Sequence, residues 1–188
     1  KHSRENLVEV YYAQDGTSVS TDEMGMREMQ RRVYEQRAAQ YLLIKAPPAS
    51  GKSRALMFVG LDKLFNQGRK KVIVAVPERS IGGSFANTDL VSHGFFADWE
   101  VEPRNNLCTP GSSASKVEQF LRFMHSTDTI LVCTHATLRF AFEKLTPADF
   151  NGTVLAIDEF HHVSADLDNS RLGALLRDIM SGSDAHIM

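Results

Sequence analysis

Short continuous apolar runs alternate along this chain with longer stretches in which apolar residues recur at helical spacing. The first run, Leu7-Val8-Glu9-Val10-Tyr11-Tyr12, is rich in β-formers and partly alternating, and a turn at Asp15-Gly16 follows it; within residues 1–23 it reads as an edge strand or an appendage. Ser20-Thr21-Asp22-Glu23 has capping-box spacing, and Met26, Met29, Val33 and Tyr34 extend one helical face to Arg37 or Ala38. Residues 41–45 read as a strand. A helix then runs from Ser53 to about Asn66, with Leu56, Val59 and Leu64 facing a sheet and Gly68 as its stop. Residues 71–76 are a buried-strand pattern ended by Pro77.

Between 79 and 102, turn formers (Gly82, Gly83, Asn87) mix with burial-seeking Phe95, Phe96 and Trp99, which predicts loops with a short helix. A short strand at 106–108 leads through Pro110-Gly111-Ser112-Ser113 into a helix carrying Val117, Phe120, Leu121 and Met124. Residues 129–133 and 153–157 are two more apolar strands, separated by a helix around 136–145, and a last helix covers about 169–180. Strands apolar on both faces and alternating with helices predict an α/β fold, a mostly parallel sheet with helices on both faces and ligands at the C-terminal strand ends.

Composition narrows the class without changing that picture. With 188 residues, 43% of them hydrophobic, the chain suits one domain able to bury its core without staples. No apolar run approaches the roughly 18 residues of a membrane helix, and nothing reads as a signal peptide. Cys108 and Cys133 lack metal-ligand spacing and read as reduced thiols of an intracellular protein. The net charge of −2 excludes a broadly basic surface, so any nucleic-acid contact must be a local patch. Starting at Lys1 and stopping at His186-Ile187-Met188, the sequence reads as a fragment.

The chemistry concentrates in Ala46-Pro47-Pro48-Ala49-Ser50-Gly51-Lys52-Ser53, between a strand and a helix. Such a loop aims successive backbone N–H groups and the positive end of the helix dipole at one point, where polyphosphate binds. Ala49, Ser50, Gly51, Lys52, Ser53 and Arg54 are the candidate nucleotide-binding residues; Lys52 reaches the β- and γ-phosphates and Ser53 ligates Mg²⁺. Ala46 stands where the strict P-loop pattern has Gly. Further on, Asp158-Glu159-Phe160-His161 follows the 153–157 strand. A carboxylate at that tip can hold Mg²⁺ while its neighbour orients or deprotonates water, so Asp158 is a metal candidate and Glu159 a catalytic one beside Lys52. His93, His135 and His162 have no ligand spacing and read as structural or solvent-facing.

Together these stretches resemble the first RecA-like domain of superfamily 2 helicases and translocases, the DEAD/DEAH-like group that includes helicase subunits of restriction enzymes. Residues 46–53 are similar to motif I, which often starts with Ala, and residues 158–161 to motif II; the resemblance spans about 24–188. It implies a P-loop NTPase fold using ATP and Mg²⁺, with His161 coupling hydrolysis to movement and Gln30 reading the adenine edge. Pro77, Arg79 and Ser80 resemble motif Ia, and Thr134 and Thr137 motif Ib, which implies contacts to a nucleic-acid backbone, with DNA favoured over RNA. Pro48 and Ala49 replace the Thr-Gly of many relatives, stiffening the loop. Motif III and a second RecA-like domain with its arginine finger would lie beyond Met188, so the isolated domain is expected to hydrolyse ATP barely. The alternatives are an NTP-driven switch or P-loop phosphotransferase not acting on nucleic acid, and a nucleotide-binding interaction module.

Overall fold

The strands are short because each apolar run is short, and they lie deep because most of them are apolar on both faces. The computed structural model describes residues 6–12, 20–47, 50–159 and 167–188. Strands β1 (Leu7–Tyr11), β2 (Tyr41–Lys45), β3 (Lys71–Val76), β4 (Ile130–Thr134), β5 (Thr153–Ile157) and β6 (His186–Ile187) form one sheet in the order β1-β2-β6-β5-β3-β4. Every pairing is parallel. All strand C-termini therefore meet at one edge, and the β2, β3, β4 and β5 ends bring 46–47 with 50–53, 77–80, 134–137 and 158–159 to it.

Side chains of successive strand residues point to opposite faces. On one face Val72, Val74, Val76, Val154 and Ala156 join a core built with helices α1 (Glu28–Glu35) and α2 (Lys52–Asn66). On the other, Ile73, Ala75, Leu131, Leu155 and Ile157 pack with α3 (Ser113–His125), α4 (His135–Phe142) and α5 (Leu167–Gly182). This is the α/β sheet covered on both faces that the sequence pattern predicts.

Helix α2 is buried more completely than a one-sided stripe of Leu56, Val59 and Leu64 implies: Ala55 to Lys63 are all buried. Residues 79–105 explain this, because their short 3₁₀ turns (Arg79–Phe85, Val91–His93, Pro103–Asn105) roof the outer side of the helix. Phe58 meets Phe95 edge-on at 4.8 Å between ring centroids, and the fully buried Trp99 donates its indole N–H to the Phe85 carbonyl at 2.9 Å. Burying a Phe of this kind stabilises by about 1.5–3 kcal/mol.

Two local expectations are corrected, and one strand is added. The first helix starts at Glu28, not after 20–23, because the Asp22 carboxylate accepts from the backbone N–H groups of Met24 and Met26 and closes a tight turn instead. Residues 106–108 make a single bridge, Asn106 to Val132, rather than a strand. The Asn106 side chain turns back onto the Cys108 N–H at 3.1 Å, and Pro110 follows. Strand β6 was not foreseen; it slots between β2 and β5.

Two buried polar clusters tie α2 to its surroundings. Asp62 accepts from the Tyr34 hydroxyl at 3.1 Å, from Asn66 and from Gln67, joining α2 to α1; burial, then Asp62, push the Tyr34 phenol up to about 12. Lys63 donates to the Ala39 carbonyl at 2.9 Å and lies 2.6 Å from His186 Nδ1. Burial, followed by the neighbouring Arg69 charge, brings Lys63 down to about 8; burial and then the Lys63 charge bring His186 down to about 4. Both cysteines are free, Cys108 half-buried and Cys133 buried. Among the described residues no helix is long and apolar enough to cross a membrane.

Candidate nucleotide site

Strand β2 ends at Lys45, and the chain must turn sharply to enter α2 at Lys52. Gly51 makes that turn with φ 88°, a left-handed conformation that an L side chain adopts only with strain. A Cβ at Gly51 would also sit 2.5 Å from Gln30 Nε2. Gln30, on the first turn of α1, is 2% exposed; its amide donates to the Gly51 carbonyl at 3.1 Å and accepts from the Arg27 N–H at 2.8 Å. In this conformation Gln30 braces the loop. Ser50 is buried and its hydroxyl has no hydrogen-bond partner.

Strand β5 delivers the opposing carboxylates. The Asp158 N–H donates to the Ala75 carbonyl at 2.9 Å, continuing the β5–β3 ladder by one residue and fixing where the chain leaves the sheet. The Asp158 side chain is 5% exposed, and its Oδ1 lies 3.5 Å from Lys52 Nζ with no hydrogen bond of its own. Glu159 takes φ 60°, an uncommon conformation for a non-glycine residue, and its Oε1 lies 3.4 Å from the same ammonium. One cation thus faces two acids across the mouth of the loop.

A cleft of about 800 Å³ opens at this point. Lys52, Ser53, Arg54, Asp158 and Glu159 line it, with Gly51 at the turn. Ala46 and Pro47 line it as well, and the wall is completed by Arg27, Met57, Ile81, Ser84 and Thr88, five residues that sequence reasoning did not single out. They have no motif spacing, because the start of α1 and the 3₁₀ turn at 79–85 are brought there by packing. The only signal was adjacency to the stretches around Gln30 and Arg79.

A buried carboxylate oxygen lacking a hydrogen bond suits a cation or its hydration shell, so Asp158 and the neighbouring Ser53 fit Mg²⁺. Among the described residues no three His, Cys, Asp or Glu side chains converge to hold a metal by themselves. Mg²⁺ is commonly held by one or two protein oxygens together with substrate phosphates.

The other candidates fall on the neighbouring strand ends. Pro77 is half-buried after β3, while Arg79 and Ser80 are exposed; Arg79 donates to the Thr109 carbonyl at 3.3 Å. Thr134 caps α4 by accepting from the Thr137 N–H at 3.2 Å, and the two hydroxyls lie 3.1 Å apart. Thr137 is only 8% exposed. His135, the first residue of α4, is buried with Nε2 2.8 Å from the Asp158 carbonyl. Burial pulls its pKa down, against the carbonyls of Asp158 and Ala75. Ala49 and His161 lie outside the described residues, as do Pro48 and His162.

Comparison with known proteins agrees with this geometry. The profile of the family "DEAD/DEAH box helicase" matches residues 27–187. A Bacillus subtilis (strain 168) protein named "Putative ATP-dependent helicase YeeB" is 66% identical over 184 residues, which is 98% of this chain and 30% of that protein's length. No solved structure matches the chain. The chain belongs to the DEAD/DEAH box helicase family, of which it carries a RecA-like α/β domain.

Proposed function

We propose that this chain is the ATP-binding half of a nucleic-acid-dependent ATPase, a helicase or translocase. The observation that carries the reading is the ammonium of Lys52 held 3.5 Å and 3.4 Å from the carboxylates of Asp158 and Glu159 at the end of a left-handed P-loop turn. Loop N–H groups and Lys52 bind the β- and γ-phosphates, and Arg54 lies at the exposed rim. Ser53 and Asp158 hold Mg²⁺, which supplies charge neutralisation on the phosphate oxygens when bound. Glu159 orients and deprotonates the attacking water. The remaining N–H of the Gln30 amide gives a preference for adenine. Ser80, Arg79 and the Thr134–Thr137 cap contact a nucleic-acid backbone from the same sheet edge. His161 and Ala49 keep the roles that the motif resemblance implies.

A second RecA-like domain closing over the cleft is supported by the length of the related protein, of which this chain covers 30%. Family membership weighs against the switch and phosphotransferase readings. The test is ATP turnover by the full-length protein with and without single-stranded DNA or RNA, beside Glu159→Gln. The variant is expected to bind ATP normally while kcat falls by about 10²-fold or more. Near-normal turnover in the variant would refute Glu159 as the base, and turnover indifferent to both nucleic acids would refute the helicase reading.

A further inference from the structure

We propose that His135 is a positioning residue for Glu159, and that through it the β4–α4 turn is coupled to the ATP site. The argument begins with one peptide plane. The carbonyl of Asp158 and the nitrogen of Glu159 belong to the same planar unit, so a group that holds the direction of that carbonyl holds the plane from which the rotation about the Glu159 N–Cα bond starts. That rotation is φ 60°, the strained value that aims the Glu159 carboxylate at Lys52. A residue held in the left-handed region stays there only if its surroundings over-determine it.

His135 is the side chain that holds this carbonyl. A carbonyl can only accept, so Nε2 carries a proton and donates to the Asp158 oxygen across 2.8 Å. The N–H of the same Asp158 is pinned to Ala75 at 2.9 Å. Both ends of Asp158 are therefore anchored, one to β3 and one to His135, and the strain is passed to Glu159. The ring itself has little freedom, being 9% exposed.

The other side of His135 faces the second function of this edge. It follows Thr134, whose hydroxyl caps α4, and it occupies the first helical position, so the ring moves with the start of α4. This part of the inference rests on the proposed nucleic-acid contact at Thr134. A backbone phosphate seated on that cap would shift the α4 N-terminus, the shift would tilt the Asp158–Glu159 peptide, and the Glu159 carboxylate would be re-aimed. A misplacement of about 1 Å at a reacting group costs on the order of 10²-fold in rate.

The experiment uses the full-length protein and compares His135→Ala with His135→Gln, whose side-chain amide can supply the same N–H. Steady-state ATP hydrolysis is measured with and without oligo(dT) or oligo(U), together with the affinity for a non-hydrolysable ATP analogue under both conditions. In the Ala variant kcat is expected to fall about 10- to 100-fold with KM changed less than about threefold, and Gln to recover most of the loss. Coupling between nucleic acid and the analogue, of the order of 5- to 150-fold when two sites communicate, is expected to fall toward one in the Ala variant while each ligand still binds alone. Equal losses in Ala and Gln that track thermal stability would show a merely structural histidine and overturn the proposal, as would an unchanged kcat in Ala. A wild-type protein unresponsive to nucleic acid would refute the functional reading and the coupling with it; the Ala and Gln comparison on basal turnover would still decide the positioning role.

Discussion

Substituting Gly51 by Ala tests whether the left-handed turn and the Gln30 brace act as one unit. At φ 88° an alanine costs roughly 1–2 kcal/mol from its own backbone. Its Cβ would lie 2.5 Å from Gln30 Nε2, well inside contact distance, so the amide must swing away. Gln30 is 2% exposed and would surrender its 3.1 Å bond to the Gly51 carbonyl, for about 1 kcal/mol or more once the freed groups stay buried. The expected destabilisation of Gly51→Ala is therefore about 2–4 kcal/mol. In a Gln30→Ala background the clash and the lost bond are already gone, so the same change should cost only the backbone strain. The coupling between the two substitutions is expected at about 1–2 kcal/mol. Urea unfolding followed by fluorescence of Trp99, the single tryptophan and fully buried, gives all four free energies. Additivity within about 0.3 kcal/mol would refute the contact between the brace and the turn.

Two further outcomes follow from the same geometry. Lys52→Ala is expected to abolish detectable binding of an ATP analogue with Mg²⁺ in calorimetry and to lower stability by about 1 kcal/mol, since Asp158 loses the cation beside its buried Oδ1; Lys52 is 24% exposed, which keeps that cost small. Unchanged affinity would remove the P-loop assignment. His186 has an ordinary pKa of 6.5 and a folded value of about 4, so its protonated form is disfavoured in the fold. Its stabilising contribution is complete above 6.5 and is lost as the pH falls toward 4, a loss of about 2 kcal/mol by pH 5. Melts at pH 7 and pH 5 should show that wild type loses this much more than His186→Gln; equal losses would contradict the part-buried Lys63–His186 contact.

The elements legible in the sequence were those whose own residues carry the cause. Strand β3 and strand β5 are continuous apolar runs because both their faces are buried, and α2 is bracketed by Gly51 and Gly68. Lys52, Ser53, Asp158 and Glu159 were legible for the same reason, since strand ends in a parallel sheet share one edge. What escaped reading depends on partners distant in sequence. Asp22 closes a turn and displaces the expected cap, and nothing local distinguishes the two uses of a short polar side chain. His186–Ile187 is too short to show a period, and it is a strand only because β2 and β5 flank it. Gln30 was singled out through the family resemblance alone, since its bond to the Gly51 carbonyl spans 21 residues, and the bond from His135 to Asp158 spans 23 residues of sequence.

The placement of β6 sets the width of the nucleotide cleft. Strands β2 and β5, which carry the phosphate loop and the carboxylates, are second neighbours with β6 between them. Ile187 donates to Gln40 on one side, and Met188 exchanges bonds with Leu155 and Ile157 on the other. The two halves of the site are thereby held two strand spacings apart, roughly 10 Å. Two residues act as a shim. Were they withdrawn, β2 and β5 could pair directly, and the gauge between the phosphate loop and the two acids would narrow by about 4.8 Å.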